Sequence, residues 1–151
     1  MGLSIGSKAP EFTLQDQDGQ TFRLSEHLGT QPVVVFFYPK DFTPGCTAEV
    51  CSFRDSYEAF TDAGALVIGI SADTEESHHK FASRYRVPFR LLSDPQGKAR
   101  RAFGVEARMF GLLPGRETFV IDRGGTIALA FRSLHFKGHM DQALNALKKL
   151  K

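Results

Sequence analysis

The chain has 151 residues, 42% hydrophobic and 24% charged, with a formal charge of +2 from 19 basic and 17 acidic side chains. That make-up fits one folded domain over 1–151 and excludes a disordered polymer. The longest apolar run, Val33–Tyr38, falls far short of the roughly 20 residues a membrane helix needs, and the scattered charge offers no footprint for nucleic acid or a membrane surface.

The first residues lack the basic stretch and apolar core of a secretory leader, so a cytoplasmic, reducing setting with free thiols is expected. Asp16-Gln17-Asp18-Gly19, between Phe12–Leu14 and Thr21–Leu24, predicts an N-terminal β-hairpin, because Gly tolerates the positive φ of a tight turn. Ser25 caps a short turn through His27 and Leu28 that Pro32 ends. Val33–Tyr38 is β-branched and aromatic without alternation, which predicts a strand covered on both faces. Val50, Phe53, Tyr57 and Phe60 recur at spacings of three and four and predict a helix over 47–62, stopped by Gly64. A second buried strand over 65–70 follows, then cap residues and first-turn acids in Ser71–Glu76 for a helix to about Tyr85. Next come a strand at 89–92, a helix at 97–103, a long loop at 106–117, and strands at 118–121 and 127–131 joined by Asp122-Arg123-Gly124-Gly125. Met140, Ala143, Leu144, Leu147 and Leu150 line one side of a closing helix at 138–150. Buried strands alternating with helices make an α/β domain, with a central mixed sheet flanked by helices.

The segment Pro39–Thr47 leaves a buried strand and opens a helix, the carboxyl edge where α/β sheets place their sites. Cys46 falls in the first turn, where unpaired N–H groups and the positive helix end favour thiolate over thiol. Pro44 fixes φ, Gly45 leaves the approach to sulfur open, and the Thr43 hydroxyl can aim at whatever lies against it. A lone Cys is otherwise a small core residue. Cys51, five residues on, would stand about 8.6 Å from Cys46 between Cα atoms on an intact helix, beyond the roughly 7 Å a disulfide tolerates. The pair can bond only if the first turn and a half unwinds, and geometry alone favours a half-buried Cys51 that never reacts.

Pro39-x-x-x-Thr43-Pro44-Gly45-Cys46-Thr47, Phe53-Arg54-Asp55, Gly69-Ile70-Ser71-x-Asp73 and Arg116-x-Thr118-Phe119-Val120-Ile121-Asp122 resemble the peroxiredoxins. Within them the match is to the bacterioferritin comigratory protein or peroxiredoxin Q group, from about Gly6 to Leu150. The resemblance implies a thioredoxin-like fold and a thiol peroxidase that reduces hydrogen peroxide and organic hydroperoxides without cofactor or metal. It implies Cys46 as the peroxidatic cysteine, Cys51 as the resolving cysteine in an intramolecular disulfide, and thioredoxin, or alternatively glutaredoxin, as reductant. Thr43 and Arg116 would hold the peroxide, with Gly45 beside it and Pro39 shielding the pocket. Glu49 matches an acid that orients an arginine in relatives; a solvated helix-face residue is the other reading. A monomer or weak homodimer is expected.

Displacement at an O–O bond needs a thiolate, a track for both oxygens and donors for the departing one, which a backbone N–H, Thr43 and Arg116 can supply. Glu117 stands where relatives carry a small polar residue, and Met109–Pro114 is apolar for a loop. That stretch either packs against the domain, walls a pocket for alkyl hydroperoxides or meets a partner. His78 and His79 point about 100° apart on a helix and are expected to be exposed; His139 is expected to cap or pack. A thiol–disulfide oxidoreductase would space its cysteines as Cys-x-x-Cys. A peroxide sensor or chaperone would pass oxidation to another protein.

Overall fold

A computed structural model describes residues 3–105, 107–108, 113–114, 116–133 and 135–150. Its elements are β1 (Thr13–Gln15), β2 (Thr21–Arg23), β3 (Val33–Phe37), α1 (Pro44–Asp55), α2 (Tyr57–Asp62), β4 (Leu66–Ser71), α3 (Glu75–Tyr85), β5 (Arg90–Ser93), α4 (Lys98–Ala102), β6 (Ala107–Arg108), β7 (Leu113–Pro114), β8 (Glu117–Ile121), β9 (Ile127–Arg132) and α5 (His139–Lys149). A single 3-10 turn, Leu24–Glu26, follows the hairpin.

Seven strands form one mixed sheet in the order β2-β1-β5-β4-β3-β8-β9. β3 runs parallel to β4 and antiparallel to β8, and β4 runs parallel to β5. β3 is therefore an interior strand, and its unalternating sequence is explained by what lies on each side. Val33, Val35 and Phe37 face one core with Phe12, Phe22, Ala99 and Phe103. Val34, Phe36 and Tyr38 face the other with Val50, Phe53, Phe60, Phe81 and Leu147 from α1, α2, α3 and α5. At Gly69 on β4 a Cβ would come within 2.8 Å of Phe36 Cζ and 2.9 Å of Leu91 Cδ2, so only glycine lets Phe36 stack on Phe53 with centroids 4.3 Å apart.

Three expectations change. Ser25, expected to cap the short turn, lies inside it, and the N-cap is Arg23. The helix predicted over 47–62 is two helices, because Ser56 at φ −104°, ψ 10° leaves the helical region while the apolar spacing runs on across it. The long loop expected at 106–117 contains a short antiparallel pairing of β6 with β7; positions 109–112 of the apolar stretch lie outside the described residues. No helix among the described residues is long and apolar enough to cross a membrane.

Candidate active site

β3 ends at Phe37, and the loop beyond it carries Pro39, half-buried, Lys40 and Asp41 toward α1. Phe42 takes φ 66°, a left-handed conformation that is sparsely populated for a bulky residue. Its ring sits edge-on to Phe81, centroids 5.1 Å apart. Thr43 is the extended N-cap and Pro44 opens the helix, where a missing N–H costs no hydrogen bond. Cys46 then falls in the first turn, 1% exposed.

Two donors converge on the sulfur: the Lys40 backbone N–H and Arg116 Nη2 each reach Cys46 Sγ across 3.5 Å. Gly45 makes this approach possible, since a Cβ there would lie 3.3 Å from Arg116 Nη2 and 3.8 Å from Phe136 Cδ1. The Thr43 hydroxyl is turned elsewhere, donating to the Lys40 carbonyl at 2.8 Å; its oxygen keeps lone pairs for an incoming donor.

Arg116 Nη1 donates to Glu49 Oε1. Glu49 is wholly buried, which decides between its two sequence readings: it lies against the arginine and not in solvent. Burial pushes its carboxyl up to about 8 despite the opposing pull of Arg116. Burial also pulls the guanidinium down, but Glu49 and Cys46 outweigh it and leave Arg116 above its ordinary value. Behind Glu49, Thr118 Oγ1 meets His139 Nδ1 at 2.8 Å, and His139 Nε2 meets the Ser133 carbonyl at 2.9 Å. Burial, with Arg116 nearby, holds His139 down at about 4. A carbonyl only accepts, so Nε2 carries the ring hydrogen and Nδ1 takes the Thr118 hydroxyl's. His139 is thus a packed, bonded residue, as expected.

Cys51 lies half-buried on the same unbroken α1, and both cysteines are free. Burial pushes the Cys51 thiol up. Glu117, the first residue of β8, is buried and paired with Arg132 at 3.4 Å.

His78 contradicts its expected exposure. It is fully buried, with Nδ1 2.7 Å from Asp41 Oδ2 and Nε2 3.0 Å from the Leu92 carbonyl. Asp41 also accepts from Tyr38 Oη at 2.6 Å and Ser77 Oγ at 2.9 Å. Ser71 Oγ and the Asp41 N–H both donate to Asp73 Oδ2. This network fastens the Cys46 loop to α3. The signal was present in the sequence: His78 is in phase with Phe81, Ala82 and Tyr85 on the buried stripe of α3. Asp41, Asp73 and His78 gather potential metal-ligating atoms within 4.8 Å of one another, but the hydrogen bonds above already engage all three.

A sequence profile of the AhpC/TSA family matches residues 5–130. The chain belongs to that family, the peroxiredoxins. It is 51% identical over 150 residues to the chloroplastic peroxiredoxin Q of Sedum lineare, covering 99% of this chain and 80% of that one. With the chloroplastic peroxiredoxin Q of Gentiana triflora it shares 52% over 147 residues, 97% of this chain and 67% of the relative. Among solved structures, peroxidoxin BcpB of Mycobacterium tuberculosis superposes with a TM-score of 0.91 at 39% identity, covering 99% of both chains. Xanthomonas campestris peroxiredoxin Q gives 0.84 at 37%, covering 91% and 90%. The mixed sheet flanked by five helices is the thioredoxin-like fold of these neighbours. This peroxiredoxin is accordingly a thiol-dependent peroxidase of antioxidant function, an oxidoreductase that takes a peroxide as substrate and a thiol as reductant. The expected cytoplasmic setting is overturned by the relatives' names, which are those of chloroplast proteins.

Proposed function

We propose that Cys46 is the thiol that attacks the peroxide, and that Cys51 resolves the product within one domain formed by this chain. The observation that carries this reading is the convergence of the Lys40 N–H and Arg116 Nη2 on a buried sulfur in the first turn of α1. The thiolate attacks one peroxide oxygen, the O–O bond breaks, and Cys46 becomes a sulfenic acid. Arg116 and the Thr43 oxygen hold the two oxygens, and the guanidinium meets the charge that develops on the departing one. Gly45 admits the substrate beside that guanidinium, and Pro39 closes the loop side against water.

Cys51 then attacks the sulfenic acid sulfur, expelling water and forming the disulfide. On intact α1 its thiol is pushed up by burial and out of reach, so it stays unreactive until the helix start unwinds. Thioredoxin, or a similar dithiol, returns both cysteines to thiols. A solved structure of the Xanthomonas campestris bacterioferritin comigratory protein is described in terms of alkyl peroxide reduction, which supports organic hydroperoxides as substrates here beside hydrogen peroxide.

The test is peroxide consumption coupled to thioredoxin, thioredoxin reductase and NADPH. Sustained turnover that vanishes in Cys46→Ser, and that falls to one equivalent in Cys51→Ser with sulfenic or sulfinic acid accumulating, supports the reading. Normal turnover in either variant overturns the role given to that residue.

A further inference from the structure

The mechanism above leaves one proton unaccounted for and one buried acid unused. A thiolate that takes an oxygen from a peroxide releases hydroxide or alkoxide, and that oxygen gains a proton beside side chains that are almost wholly buried. Glu49 stands behind the same arginine with no stated task beyond orienting it.

Cys46, Glu49 and Arg116 are 1%, 0% and 7% exposed. Arg116 Nη2 bonds the sulfur and Nη1 bonds Glu49 Oε1. Two negative charges beside this guanidinium would leave one poorly compensated in low dielectric. The carboxyl itself indicates which group carries the proton. Glu49 Oε2 is buried without a hydrogen-bond partner, and His139 Nδ1, 3.7 Å away, has no hydrogen to give it, its lone pair being taken by the Thr118 hydroxyl. Among the described residues, the titratable groups packed around Glu49 are Cys46 one turn earlier on α1, Arg116 ahead of β8 and His139 at the start of α5. Of these only Arg116 supports an ionised carboxylate, and it is shared with the sulfur.

We propose that Glu49 stores the proton that the departing peroxide oxygen takes up, so that Cys46 and Glu49 share one negative charge beside Arg116 and exchange it when the sulfur is oxidised. The step balances: Cys46–S⁻ + ROOH + Glu49–COOH gives Cys46–SOH + ROH + Glu49–COO⁻. An S–O bond forms and the O–O bond breaks. Sulfur loses two electrons, the peroxide gains them, and the net charge of the site is unchanged. The departing oxygen ends with the proton that Glu49 gives up, and Arg116, which bonds both Glu49 and Cys46, is a cation before and after. Glu49 acts through Arg116 and is a proton-holding residue, one that does not touch the substrate. The elevated carboxyl, at about 8, agrees with a stored proton at neutral pH.

This proposal rests on Cys46 being the attacking thiolate, and the experiment separates the two. Fully reduced protein is mixed with hydrogen peroxide in weakly buffered indicator dye at neutral pH, following ultraviolet thiolate absorbance and proton uptake together. The later disulfide step consumes no net proton. Loss of thiolate signal with almost no proton uptake in the wild type, rising toward one proton per Cys46 as pH passes about 8, is the expected result. Glu49→Gln should take up one proton per Cys46 at neutral pH. Thiolate loss with one proton taken up by the wild type at neutral pH overturns the role of Glu49 whether or not the variant folds. Absence of a thiolate signal overturns the reading of Cys46 itself.

Discussion

Arg116 lies 70 positions beyond Cys46, yet its Nη2 reaches the sulfur across 3.5 Å. β8 brings it there by pairing antiparallel with β3, Phe37 opposite Glu117, so the end of one strand and the start of the other meet at the carboxyl edge of the sheet.

Replacing Arg116 by methionine removes a directed donor from the sulfur and from the departing oxygen. Loss of one such donor typically costs about 10²–10³-fold in rate, and the second-order rate of peroxide loss should fall by that order. Arg116→Lys should recover only part, because an ammonium cannot bridge Glu49 and Cys46 with two donors in a fixed plane. Stopped-flow peroxide kinetics check this; a lysine variant at full rate would contradict it.

Formation of a Cys46–Cys51 disulfide requires the start of α1 to open. Amide exchange over residues 44–52 should rise in the oxidised protein while β3 and β4, buried on both faces, stay protected. Unchanged exchange in a fully oxidised sample would place the partner of Cys46 on another chain.

Gly69→Ala forces a Cβ to within 2.8 Å of Phe36 Cζ and 2.9 Å of Leu91 Cδ2. Overpacking of this kind costs about 1–3 kcal/mol, so chemical denaturation should show a lower midpoint with an unchanged slope. Phe36→Leu in the same chain should restore part of the loss by vacating the contact.

The Glu49 carboxyl titrates at about 8 in the folded state against 4.5 when exposed. The folded protein therefore binds the extra proton between these values. The stability this contributes is complete below 4.5 and is lost as pH rises through about 8. His139, held at about 4 against 6.5, acts in the opposite sense, losing stability as pH falls from 6.5 toward 4. Thermal melts should thus decline between pH 6.5 and 8, and Glu49→Gln should abolish that limb. A wild-type melting temperature flat across this range would rule out the titration.

The fold was legible in the sequence where a residue's neighbours along the chain carry the signal. Val33–Phe37 reads as a doubly buried strand because every position is apolar, and α5 follows from the one-sided spacing of Ala143, Leu144 and Leu147. The break at Ser56 was not legible, because the apolar positions keep helical spacing through a residue that leaves the helix. At the site, Cys46 and Thr43 could be placed from the helix start alone. Arg116, Cys51 and Glu49 needed the resemblance, because the spacing carried no reason for an arginine 67 residues away to meet a helix-face glutamate. The burial of His78 was written in its phase with Phe81 and Tyr85, but adjacency to His79 and the polar residues around them obscured it.

The fastening of Asp41 sets the mechanics of the moving part. Tyr38, Ser77 and His78 hold that side chain from three directions, while farther along α1 Phe53 is clamped flat on Phe36. Between these two anchors lie residues 42–52, and both cysteines fall inside that span. On the proposed mechanism the stroke that joins them is short and pivoted at a fixed end, with the sheet beneath as its rigid bed.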